Sequence, residues 1–181
     1  FQYLKEVLIA RLSSDFRQEN FVIPVMNVED DSTPLTFFIN HNKLNTVDTI
    51  LLLLSLVPNI MPGFLNEILT EFMPNGGEFP EFGGTKGKHY RGIIPTGETA
   101  LYILGGKNIE ERKELTKFML YESKLLKSNI VEIEKVPYGD PVMSGKLILT
   151  EEFVHFFLTR KQLKPQLSQD FPASLITTDL E

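Results

Sequence analysis

The amino-acid sequence predicts an α+β fold that is mainly helical and carries one small antiparallel hairpin. Three observations lead there. Near the N-terminus Phe1, Leu4, Leu8, Leu12 and Phe16 recur at helical spacing, with Lys5, Glu6 and Arg11 between them, the pattern of an amphipathic helix. A leucine-rich run at 50–54, resumed at Leu56 and Val57, follows a helix-start signal at Asn45 or Thr46. Two β-rich runs, 130–136 and 146–149, flank a turn-rich loop at 137–145.

The elements follow in chain order. After the first helix, Pro24 and Pro34 read as helix breakers, Asp30, Asp31 and Ser32 as a turn, and 35–39 as a short strand. The leucine helix runs to about Val57, with Asp48 in its first turn, where the helix dipole favours a carboxylate. Pro62 suits the first turn of another helix over 63–72, whose apolar face is Phe64, Leu65, Ile68, Leu69 and Phe72. Residues 73–95 then change character: the stretch PNGGEFPEFGGTKGKHYRGIIP is rich in Gly and Pro, has no period, and is too long for a simple connection.

Beyond it Thr96 caps a short helix at 97–104, stopped by Gly105 and Gly106. Asn108 and Glu111 have capping-box spacing and open a helix over 109–125 with Leu115, Phe118, Met119, Tyr121 and Leu125. Thr150 caps a last helix carrying Phe153, Val154, Phe157 and Leu158. Helix, helix, strand, loop, strand is a winged-helix-like order, with 137–145 as the wing. The expected organisation is a helical part at 1–72, a functional loop at 73–95, a winged-helix-like part at 96–160 and a linker at 161–181, with 1–160 forming one compact domain.

Bulk properties narrow the function. The 181 residues suit one ordinary domain or two very small ones with a true core, and at 42% hydrophobic and 23% charged the composition is close to globular averages. With no Cys, a disulfide framework, a thiolate zinc site and a cysteine nucleophile are excluded. A reducing, cytoplasmic setting fits this composition. A formal net charge of -6 argues against binding nucleic acid through its phosphates. The longest apolar run falls well short of the roughly 20 residues that cross a bilayer, so no membrane partner is expected. The start lacks an initiator Met and a signal-peptide pattern, so the chain reads as part of a longer protein.

No motif for chemistry survives inspection. GGTKGKH resembles a phosphate loop only superficially: His89 follows Gly87-Lys88 where Ser or Thr is needed, and Phe82 stands where the first Gly belongs. His41, His89 and His155 are far apart in sequence and have no i, i+4 partner for a metal. The carboxylate pairs Glu110/Glu111 and Glu151/Glu152 sit at helix starts, where the dipole explains them. No catalytic, cofactor or metal residue is assigned. The candidate partner contacts are Phe79, Phe82, Lys86, Lys88, His89, Tyr90 and Arg91, because aromatics and Arg are enriched at interface cores. A structural reading stands beside this one, in which the aromatics pin the loop onto its own domain. A DNA-reading face on 109–125 is disfavoured by Glu110, Glu111, Glu114 and Glu122 among its lysines.

The string FPEFGGTKGKHYRGIIPTGETALYILGG at 79–106 resembles the region ahead of the ATPase module in a group of bacterial AAA+ ATPases known mainly from Bacteroidetes, and similar ATPases accompany contractile injection systems. FPASLITTDLE at 171–181 looks like the junction before that module. The resemblance implies a whole protein that binds ATP and Mg and hydrolyses ATP as a hexameric ring, its Walker motifs lying beyond Glu181. This chain would then be a non-catalytic recruitment or regulatory domain. Its partners would be its own AAA+ module and a protein substrate or contractile-system component. The alternative is a nucleic-acid-binding winged-helix regulator.

Overall fold

The computed structural model describes residues 1–26 and 33–159. The expected turn at Asp30–Ser32 and the expected linker at 161–181 lie outside the described residues. The described fold is α+β and mainly helical, as the spacing predicts.

Helix α1 spans Gln2–Arg17 and α2 spans Pro34–His41. The second of these replaces the short strand expected at 35–39. Pro34 is not a breaker here. It occupies the first helical turn, where its missing N–H is no loss and its fixed φ is already helical. Thr33 completes the start: its hydroxyl accepts from Thr36 N at 3.1 Å while Thr36 Oγ1 accepts from Thr33 N at 3.3 Å, a reciprocal cap.

Helix α3 (Thr46–Ile60) is capped by Asn45, whose Oδ1 accepts from Asp48 N at 2.8 Å. It continues past Val57, with Pro58 inside its last turn. Every residue from Asp48 to Val57 is buried, as expected of a helix that is apolar all round. It is the centre of the core, touched by α1, by the later helices and by the hairpin. The chain then bends by 106° into α4 (Phe64–Phe72). No single described helix is long and apolar enough to cross a membrane.

Strands β1 (Thr85–Lys86) and β2 (Ile93–Ile94) form a minimal antiparallel pair within the Gly/Pro-rich stretch. Helix α5 (Gly97–Gly105) follows its Thr96 cap and stops at Gly106, as the glycine pair predicts. The helix expected over 109–125 divides in two. Helix α6 covers Ile109–Tyr121 and a single-turn helix α7 covers Lys124–Lys127. Ser123 causes the break: it is fully buried and its Oγ accepts from Leu126 N at 3.3 Å, starting a new helix rather than continuing the old one.

Strand β3 (Val131–Ile133) pairs antiparallel with β4 (Leu147–Leu149) in the register Val131 with Leu149 and Ile133 with Leu147. Val131, Leu147 and Leu149 point into the core, and Glu132 and Ile148 face out, the alternation of a half-buried sheet. Pro95 and Thr96 run alongside β4: Leu147 N donates to Pro95 O at 2.9 Å, and Thr96 bridges Lys146. Helix α8 (Glu151–Thr159) lies against α2, with Phe38 edge-on to Phe153 and Phe157 at centroid distances of 5.7 and 5.3 Å.

Candidate partner-contact site

The candidate residues all lie between α4 and α5, and the structure divides them into two groups. The aromatics face inward. Phe82, in a tight turn at Pro80–Phe82, is 1% exposed. Phe79 is half-buried and stands edge-on to Tyr102 of α5 at 5.2 Å and to Phe16 of α1 at 5.4 Å. Phe82 meets Tyr102 at 5.8 Å. These edge-to-face contacts hold the first half of the loop on α1 and α5.

The cations face outward. Lys86, Lys88, His89 and Arg91 are exposed around the tip of the β1–β2 hairpin. Among the described residues none of them forms an ion pair, with Glu78, with Glu81 or with any other carboxylate. Tyr90 belongs to neither group. Its ring is half-buried and its hydroxyl donates to Pro62 O at 3.1 Å, at the bend between α3 and α4. Burial pushes its pKa up.

The hairpin is tied down at its base as well. Ile93 N donates to Asn66 Oδ1 on α4 at 3.0 Å, and Gly84 N donates to Thr96 Oγ1 at 3.1 Å. Two glycines permit the close approach. Gly92 passes so near the α3–α4 bend that a Cβ there would overlap Pro62 O. Gly83 has φ +67, and a Cβ would strike the Glu98 side chain. Beneath the hairpin an open cavity of about 270 Å³ is lined by Asn66, Leu69, Met73, Phe79, Phe82 and Ile93. Its lining has no charged side chain and Asn66 Oδ1 is already engaged by Ile93 N, so it offers shape rather than chemistry.

A buried polar group lies behind the aromatic cluster. Arg11 of α1 is 6% exposed; its Nε donates to Ile103 O at 2.9 Å and its Nη2 to Leu104 O at 2.8 Å. It thereby satisfies carbonyls that the end of α5 leaves open. Its guanidinium lies 3.4 Å from the centre of the Phe21 ring. Desolvation lowers its pKa, against the opposing pull of Asp15. The Tyr102 hydroxyl is buried beside Asp15 and makes no hydrogen bond of ordinary geometry among the described residues. Desolvation, reinforced by Asp15, pushes its pKa well above the usual range.

His41, His89 and His155 lie on α2, the β1–β2 hairpin and α8. Among the described residues no three side chains of His, Asp or Glu come together as a metal site. The sequence reading missed one surface. Helix α6 buries only Met119, and it exposes Ile109, Leu120 and Tyr121. Its signal was present as apolar residues lying off the Leu115–Met119 face.

Searches among protein-family models, curated proteins and solved structures find no match for this chain.

Proposed function

We propose that this chain is a non-catalytic recruitment or regulatory domain that docks protein partners, working ahead of an AAA+ module beyond Glu181. ATP and Mg belong to that module, and the setting is cytoplasmic. The observation that carries the reading is the hairpin tip: Lys86, Lys88, His89 and Arg91 are exposed and, among the described residues, form no ion pair, on a chain of net charge -6, while Tyr90 and Ile93 fasten the hairpin to α4 and the bend before it. Phe79 and Phe82 serve the contact from behind, by fixing the loop. A rigid cationic projection steers and orients an acidic protein surface.

The test is the Lys86→Ala/Lys88→Ala/Arg91→Ala variant in the full-length protein. Assembly, ATP turnover or partner recruitment should fall while the fold is kept. Normal behaviour in all three would remove the reading.

A second reading is favoured by one observation. The order of β2 with Thr96, α5, α6, β3, loop and β4 supports a winged-helix arrangement, which raises a nucleic-acid regulator. Salt-dependent binding to duplex DNA would select it over protein docking.

A further inference from the structure

Among the described residues nothing covers the outer face of α6, and its residues form a patterned stripe. Ile109, Arg112, Lys113, Lys117, Leu120 and Tyr121 line one groove of about 450 Å³, closed on its inner side by Leu101 of α5. Their spacing of i, i+3, i+4, i+8, i+11 and i+12 places them along one side of the helix. The order is apolar, cationic, apolar. Ile109 is 68% exposed at one end, and Leu120 and Tyr121 are 44% and 67% exposed at the other. From Ile109 to Leu120 the axial distance is about 16 Å at 1.5 Å per residue. Among the described residues no carboxylate lines the groove itself, although Glu98, Glu110 and Glu114 stand behind its three cations.

We propose that this groove docks an amphipathic helical segment of a protein partner, one that carries carboxylates between two apolar side chains about three turns apart. Charge complementarity selects that occupant. Lys113 and Lys117 reach Glu110 and Glu114 at 2.8 and 4.0 Å, but these pairs are within one helix and largely exposed. Such pairs contribute little and are readily exchanged for a partner's carboxylate. Arg112 is different. It is held by Glu98 and donates to Gly106 O at 3.1 Å, so it forms a fixed wall. Ile109 and Leu120 then supply the apolar contacts at either end, as in helix-in-groove recognition. The site is separate from the hairpin tip, and its test does not depend on that tip.

The probe is a fluorescein-labelled, helix-forming peptide of about 16 residues, with leucines at both ends of one face and two glutamates between them. Its twin has two lysines in place of the glutamates. Anisotropy is measured against the 181-residue chain. The glutamate peptide should bind at least about tenfold more tightly than its twin. Lys113→Glu/Lys117→Glu should reverse that preference. Leu120→Asp and, separately, Ile109→Asp should weaken both peptides about tenfold, with melting temperatures unchanged because all four positions are exposed. Lys86→Ala/Lys88→Ala/Arg91→Ala should leave peptide affinity as it was. No saturable binding, a preference that survives the charge reversal, or loss on changing the hairpin tip overturns the proposal. Duplex DNA binding abolished by Lys113→Glu/Lys117→Glu would also overturn it, in favour of a nucleic-acid face.

Discussion

Asp48 and Ser123 are 75 positions apart in sequence and meet in a 2.5 Å hydrogen bond, Ser123 Oγ donating to Asp48 Oδ1. Both are 0% exposed. Lys124 N donates to the other carboxylate oxygen at 3.3 Å. One carboxylate therefore sits at the N-termini of both α3 and α7, where each helix dipole favours its charge.

Removing that carboxylate should be costly. Asp48→Ala is expected to destabilise the chain by about 2 kcal/mol or more, and Ser123→Ala by about 1–3 kcal/mol. The double variant should cost less than the sum, because both changes break the same contact. Urea denaturation measures this, and an Asp48→Ala variant as stable as the parent would refute the clamp.

Arg11→Lys should behave more like a deletion than a conservative change. The planar guanidinium serves two carbonyls, Ile103 O and Leu104 O, while stacked on Phe21. An ammonium lacks that fork. A loss of about 2 kcal/mol is expected for Lys, and about 3 kcal/mol or more for Ala. Thermal melts of both variants decide it; equal stability of Arg11→Lys and the parent would contradict the account.

Tyr102→Phe should be close to neutral at pH 7, since among the described residues the hydroxyl it removes makes no ordinary hydrogen bond. At alkaline pH the two proteins should diverge. The folded pKa of Tyr102 is raised by desolvation. The unfolded chain therefore releases this proton first, near the ordinary value of about 10. The stability associated with neutral Tyr102 is complete below that pH and declines as pH rises from there toward the folded value. The stability of the Phe variant should fall less steeply above about pH 10; parallel curves would show that Tyr102 does not contribute.

Gly92→Ala should loosen the hairpin. Its Cβ would overlap Pro62 O and meet the Tyr90 ring at 2.8 Å, so the backbone must move and the Tyr90–Pro62 hydrogen bond is lost. A cost of about 2 kcal/mol is expected. Gly139→Ala is the control. It meets nothing within 4 Å and bears only the strain of φ +101. Amide exchange of Ile93 and Gly84 would report the loosening directly; unchanged protection would refute it.

What the sequence made legible were elements whose signals are local. The leucine run, the Thr96 cap with its Gly105–Gly106 stop, and the two β-rich runs each carry their own instructions. Pro34 shows the limit: the same residue ends one helix or begins another, and Thr33 with Thr36 decides which. Ser123 shows another. Its capping role depends on Asp48, which only the tertiary fold brings near. The candidate loop was legible as composition, with three aromatics beside four basic groups. That Phe79 and Phe82 would turn inward onto Tyr102 depends on where α1 and α5 pack, which no local pattern states. The open face of α6 was hidden for the same reason, since exposure is defined by neighbours.

The short run from Ile93 to Gly97 joins the cationic tip to the rest of the molecule through three hydrogen bonds: Ile93 N to the Asn66 side-chain Oδ1, Leu147 N to Pro95 O, and Gly97 N to Gly145 O. On the other strand of the hairpin, Gly83 and Gly84 both have positive φ, and Gly76 and Gly77 follow suit nearer α4. That side is fastened too: Gly84 N donates to Thr96 Oγ1, and Phe82 just before it is buried against Tyr102. Tension applied at Lys88 or Arg91 is therefore passed by the 93–97 side into β4 and the start of α5, and by the glycine side into Thr96 and the aromatic cluster. A load on the tip reaches the β3–β4 hairpin and the start of α5 together, because Thr96 receives it from both sides.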